Sequence, residues 1–140
     1  MLAPSAPVLS WNDNTLSVNN SRMDNTHKEF IELLNQCANA STDDFPALFT
    51  ELVQHTQEHF ELENKIMDAS EFPPTPIHQG EHARILTEIE TLDTQVKLGE
   101  ITAAQKYIRN YIPDWFCNHA ATMDRALARH LKSRGMENSF

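Results

Sequence analysis

Leu52, His55, His59, Leu62 and Ile66 recur at three- and four-residue spacing, which draws a single stripe along a helix. The stripe is apolar apart from its two imidazoles. Glu63 follows His59 by four residues, so it lies about 40° away on the same face, one turn further on. An ionisable group on a core-facing stripe is costly unless it is paired or ligates a metal. A chain carrying such a stripe must bring partners to the same depth from other segments, and this requirement restricts the folds open to it.

Three further segments have helical spacing. Met23, His27, Phe30, Ile31, Leu34 and Ala38 predict a first helix over about residues 20–38, and the stripe above lies on a second over about 44–69. Pro73 and Pro74 end that second helix. Thr75-Pro76 then reads as a cap followed by proline in a first turn, opening a third helix over about 76–98 with His78, His82, Ile85, Ile89, Leu92 and Val96 inward. Gly99 is its expected stop. A fourth helix, about 101–132, places Ile101, Ala104, Ile108, Ile112, Trp115, His119, Met123 and Ala126 inward, and Pro113 should kink or split it. Residues 1–19, with Pro4, Pro7 and an Asn-Asp-Asn run, read as an extended arm anchored by Trp11, Leu16 and Val18, and residues 133–140 read as a polar tail. With only three glycines, helix is favoured over sheet. Short loops make antiparallel neighbours. The expectation is one all-α domain over residues 20–132, an up-down-up-down antiparallel four-helix bundle with an extended N-terminal arm.

Composition excludes several classes. A formal net charge of −9 without any Lys/Arg cluster argues against a nucleic-acid partner. No apolar run approaches the length needed to cross a bilayer, so no membrane partner is expected. The first residues lack the basic and apolar regions of a signal peptide, which makes a cytoplasmic monomer the expectation. Cys37 and Cys117 lie in different predicted helices without metal-binding or redox spacing and read as free thiols. His130 reads as a solvated residue placed to suit the helix dipole.

The inward ionisable groups form a set. The first helix offers His27, the second His59 and Glu63, the third His78 and His82 four apart, and the fourth His119 and Asp124. Five imidazoles suffice for two metals, with two carboxylates left to bridge them. The set is too rich in nitrogen for magnesium or calcium and lacks the thiolates of structural zinc, so iron fits best. His119 and Asp124 are about 140° apart on a regular helix. Either they approach the centre from opposite flanks, or a π-type turn intervenes.

These motifs resemble the hemerythrin family, in its bacterial single-domain form. The resemblance rests on Asp24-x-x-His27-Lys28, His59-Phe60-x-x-Glu63, His78-x-x-x-His82 and Trp115-x-x-x-His119-x-x-x-x-Asp124, with Trp11 in the arm, and covers about residues 11–131. The ferritin-like bundles, which use Glu-x-x-His on each of two helices, fit poorly because no histidine here has a glutamate three residues before it. The resemblance implies two Fe ions. His27 and His59 would hold one and leave it an open position; His78, His82 and His119 would hold the other; Glu63, Asp124 and an oxo or hydroxo group would bridge them. It implies reversible binding of O2, for carriage, storage or delivery, rather than an enzyme. The alternatives are an oxygen or redox sensor, or a di-iron redox enzyme acting on peroxide or nitric oxide.

Two features depart from the family pattern. Ala120 and Ala121 stand where bulky aliphatics usually wall the O2 pocket, while Phe60 and Trp115 are retained as walls. The pocket is therefore either wider and wetter, or refilled by neighbours. His55, one turn before His59, either serves that pocket as a donor or proton relay, or is a core-edge histidine bonded to a neighbour.

Overall fold

A computed structural model of the chain describes residues 7–139; the first six residues of the expected arm and Phe140 of the expected tail lie outside the described residues. Among the described residues all regular secondary structure is helical. A one-turn α1 (Asp13–Leu16) precedes α2 (Ser21–Ala38), α3 (Phe45–Ala69) and α4 (Thr75–Lys97). The last quarter of the chain forms α5 (Thr102–Asn110), α6 (Ile112–His119), a π-helical turn (Ala120–Asp124) and α7 (Arg125–Ser133).

Local chemistry sets these boundaries. Asn20 caps α2 by accepting the Met23 N–H at 3.0 Å. Pro46 and Pro76 sit in the first turns of α3 and α4, where a missing amide costs nothing. Gly99, at φ 90°, supplies the left-handed residue after α4. The expected fourth helix is split at Tyr111, two residues before Pro113, because proline cannot donate to the Arg109 carbonyl.

α2 packs on α3, α3 on α4, and α5 on both α4 and α2, which closes a ring of four helical columns. Short connections between successive columns make them antiparallel. The arm is more structured than expected. Asn12 accepts the Asn14 N–H at 2.9 Å and starts α1, a cap that the Asn-Asp-Asn run provides but that helical periodicity does not reveal. Asn35 holds the arm's beginning through its Oδ1, which accepts the Val8 N–H at 2.8 Å, and its Nδ2, which donates to the Leu9 carbonyl at 2.8 Å. Asp24 holds the other end, accepting the Val18 N–H at 2.9 Å and the Ser17 hydroxyl at 2.6 Å.

Two apolar clusters fill the bundle, and each column carries its inward ionisable residues between them. One cluster includes Phe30, Phe60, Ile85, Phe116 and Ala120; the other includes Met23, Met67, Phe72 and Leu127. His27, Glu63, His78, His82 and Asp124 lie in sequence between these sets, His119 stands between Phe116 and Ala120 of the first, and all six are buried.

Three expectations about side-chain placement are corrected. Leu62 is 53% exposed. The buried face of α3 follows Leu52, Val53, Thr56, Phe60, Glu63 and Met67, rotated from the expected stripe, so His59 stands at its edge and Leu62 falls outside. Past the π-helical turn the inward stripe shifts to Leu127, Ala128 and Leu131; Ala126 is exposed and Met123 half-buried, because the extra residue in the turn advances the register. His130 is half-buried rather than solvated: its Nε2 lies 2.7 Å from the Ser70 carbonyl, and its ring packs on Phe72 with centroids 5.2 Å apart. Cys37 and Cys117 are free thiols. No helix among the described residues is long and apolar enough to cross a membrane.

Candidate metal centre

All seven expected ligand residues meet between the apolar clusters. The π-helical turn selects between the two geometries left open for His119 and Asp124. Its backbone bonds span five residues instead of four, so the two side chains share a face as an i,i+4 pair does on a regular helix. Both Asp124 oxygens then face imidazoles: Oδ2 lies 3.0 Å from His27 Nε2, and Oδ1 lies 3.1 Å from both His78 Nε2 and His119 Nε2. Glu63 mirrors it from α3. Its Oε2 lies 2.8 Å from His59 Nε2, while Oε1 lies 3.2 Å from His82 Nε2 and 3.5 Å from His78 Nε2.

Each carboxylate therefore turns one oxygen toward His27 or His59 and the other toward His78 and one of His82 and His119. Two sets of ligand atoms result, His27, His59, Glu63 and Asp124 in one, and Glu63, His78, His82, His119 and Asp124 in the other. Within each set the atoms lie within 4.8 Å of one another.

The donor chemistry fits cations. His27 Nε2, His82 Nε2, both Glu63 oxygens and Asp124 Oδ1 are buried without a hydrogen-bond partner. His78 Nε2 and His119 Nε2 point at each other across 3.1 Å. Two neutral imidazoles so arranged oppose their lone pairs unless a proton or a metal lies between them. The charge balance of the protein alone points the same way. Burial and Asp124 push Glu63 upward, but His59 and His78 outweigh both and hold it well below the usual carboxylate range. Burial likewise acts against Asp124, and His119, His27 and His78 hold it low. Against its own burial, His78 is raised to about 9 by the neighbouring carboxylates of Asp124 and Glu63. His82 moves the other way, lowered chiefly by burial. The site is thus one in which positive charge must neutralise two buried carboxylates, and protons or metal ions can supply it.

Asn64 is the residue that periodicity missed. Its Oδ1 accepts from His82 Nδ1 at 2.8 Å, which fixes the tautomer that leaves Nε2 free for the centre. The contact joins α3 to α4 and has no signature in either helix alone. Asn64→Ala is expected to weaken metal affinity about 10- to 100-fold, the usual effect of losing such a support, as read by competition with a chelator.

A cavity of about 10 Å³, room for roughly one water-sized molecule, is bordered by His27 and His59 of one set, by His119 of the other and by the shared Asp124. Its lining includes Phe30, Thr56, Phe60, Trp115 and Phe116. Of the four residues expected around an O2 pocket, Phe60 and Trp115 line this cavity and Ala120 and His55 do not. Phe30 and Phe116, stacked with centroids 5.0 Å apart, occupy this flank, and Phe116 meets His27 edge-on at 5.2 Å. The small volume favours refilling over a wide pocket. His55 faces a surface groove, with its Nε2 3.9 Å from Glu29 Oε1.

Residues 18–131 match the family model described as the hemerythrin HHE cation binding domain. The chain belongs to the hemerythrin family. It is 32% identical over 129 residues to a bacteriohemerythrin of Ralstonia nicotianae, covering 92% of this chain and 93% of that one. It is 28% identical to a bacteriohemerythrin of Aquifex aeolicus, over 81% of this chain and 91% of the relative. A myohemerythrin of Riftia pachyptila is 24% identical, over 73% and 82%. Crystal structures of hemerythrin superpose well: a leucine-to-tyrosine variant gives a TM-score of 0.82 at 20% identity, covering 90% of this chain and 98% of the other. The wild-type hemerythrin gives 0.80 at 20%, over 88% and 97%. The shared architecture is the hemerythrin helical bundle.

Proposed function

We propose that this hemerythrin-family chain holds a pair of iron ions and binds O2 reversibly, for carriage, storage or delivery. The observation that carries the reading is the division of each buried carboxylate between two histidine groups, the arrangement a bridged pair of metal ions requires. In this reading His27 and His59 would hold one ion, His78, His82 and His119 the other, and Glu63 and Asp124 would serve both. When bound, the iron pair would supply the binding site for O2 and the electrons to hold it.

The remaining work falls to the protein. Two histidines on one side against three on the other leave the first side with fewer donors, and both of its histidines border the small cavity. Phe30, Phe60, Trp115 and Phe116 exclude bulk water from it, while Asn64 fixes His82. The relatives named bacteriohemerythrin and myohemerythrin support the same assignment. A cytoplasmic monomer accompanies this reading, and cell fractionation with gel filtration tests it.

The test is an optical titration of the anaerobically reduced, iron-loaded protein with O2, followed by removal of the gas. A visible band that appears and then vanishes is the expected result. A ferric spectrum without any reversible species would overturn reversible binding, and a protein that takes up no iron would overturn the whole reading.

A further inference from the structure

Tyr107, Tyr111, Trp115 and His119 follow one another at four-residue intervals and draw a single aromatic ridge along α5 and α6 that ends on an expected metal ligand. The contacts along it are close. Trp115 stacks on His119, with centroids 4.6 Å apart and ring planes 18° apart. Tyr107 stacks on Tyr111 at 4.9 Å and 16°. Between these pairs the Trp115 amide donates to the Tyr111 carbonyl at 3.1 Å.

A polar bridge spans the same step. Trp115 Nε1 donates to Glu81 Oε1 at 2.7 Å, Arg84 pairs with Glu81 at 2.6 Å, and Arg84 Nη1 donates to the Tyr111 hydroxyl at 2.8 Å. At the outer end the Tyr107 hydroxyl donates to Glu88 Oε1 at 2.6 Å. Tyr107 and Tyr111 are half-buried and reach the surface, whereas His119 is only 5% exposed. Indole and phenol are, after thiols, the side chains that give up an electron most readily. A core helix needs none of them on this ridge, since Ile108, Ile112 and Phe116 already fill its buried face.

We propose that Trp115, Tyr111 and Tyr107 form an electron relay that joins the metal centre to the surface and lets this protein reduce hydrogen peroxide with external one-electron donors. The inference rests on the reading of the site as an iron centre. In each pass Trp115 would give up one electron toward the centre that peroxide has oxidised, and would be refilled from Tyr111 and then from Tyr107. The net change is a Tyr107 phenol that has lost one electron, with its proton passed to Glu88 Oε1. A donor of the ascorbate or thiol class then returns an electron to Tyr107, and the proton comes back from Glu88. Two passes and two protons from solvent convert one hydrogen peroxide into two waters, while two donor molecules are oxidised by one electron each.

The iron-loaded protein treated with hydrogen peroxide provides the test. Freeze-quenched samples are read by electron paramagnetic resonance, and Trp115 oxidation is read by peptide mass spectrometry. The wild type is expected to show a tyrosine radical, identified by its narrowing when deuterated tyrosine is incorporated. In the Tyr107→Phe/Tyr111→Phe double variant, which removes both tyrosines of the chain, oxidised Trp115 should rise several-fold and ascorbate-dependent peroxide consumption should fall several-fold. Trp11→Phe, in the arm, should change none of these readouts. Absence of a tyrosine radical in the wild type, or equal Trp115 oxidation and equal peroxide consumption in wild type and double variant, with iron bound in both, would overturn the relay and leave the oxygen-binding reading intact. A chain that takes up no iron would overturn that reading, and the relay with it.

Discussion

Replacing Glu63 by glutamine is expected to lower bound iron from a pair of ions per chain to at most one, the largest effect of any single substitution in this protein. The glutamine keeps the shape of the side chain but removes its charge, and its amide nitrogen must meet imidazole nitrogens that glutamate oxygens face at 2.8 to 3.5 Å. One amide offers a single acceptor atom for two metal positions, so the bridge fails even if the fold survives. Asp124→Asn is expected to behave alike, because its oxygens face His27 on one side and His78 and His119 on the other. Without metal, removing one member of this fully buried charged cluster should also cost about 3 to 5 kcal/mol of stability. Metal analysis after gel filtration, paired with urea unfolding of the chelated protein, separates the two effects. Full iron content in Glu63→Gln would refute the bridging assignment.

The metal-free protein is expected to lose stability as pH rises from 6.5 to about 9, while the iron-loaded protein does not. The sign follows from His78, whose value moves from 6.5 when unfolded to about 9 when folded, the carboxylates of Asp124 and Glu63 outweighing its burial. A raised value means the native state holds a proton that the unfolded state has released. That contribution is complete below 6.5 and lost as pH passes through 9. At about 1.4 kcal/mol per pH unit the loss is on the order of 3 kcal/mol. His59, also raised, adds in the same direction. Metal binding uses the same imidazoles in their neutral form, so iron affinity rises across the same window. Urea midpoints of chelated and loaded protein at several pH values check this; a chelated protein that gains stability over that range would contradict it.

The two predictions share a cause. The polar layer across the bundle is a stack of charged groups whose only compensation is one another or a cation, and its two carboxylates are held low by imidazoles in the metal-free chain. The acidic groove around His55 is a separate feature: there His55 is pushed down by burial and by His59, against the pull of Glu29 and Glu58.

Much of this architecture was legible in the chain. Apolar spacing located four helical columns, the pairs His59/Glu63 and His78/His82 declared themselves by i,i+4 spacing, and Gly99 and Pro113 marked a stop and a break. These are local properties, set by helix geometry, backbone stereochemistry and the missing amide of proline. The rest was decided between helices. Periodicity leaves the rotation of a helix uncertain by a residue or so, and on α3 that uncertainty put Leu62 and His55 inside when packing turns Thr56, Phe60 and Glu63 to the core. Asn64 meets His82 only because α3 and α4 are neighbours. The sequence could state that His119 and Asp124 disagree with a regular helix, but not how the conflict is resolved. The π-helical turn does so within the packed bundle, where one extra residue lets both side chains reach the same polar layer while Leu127 and Leu131 remain in the apolar cluster beyond it.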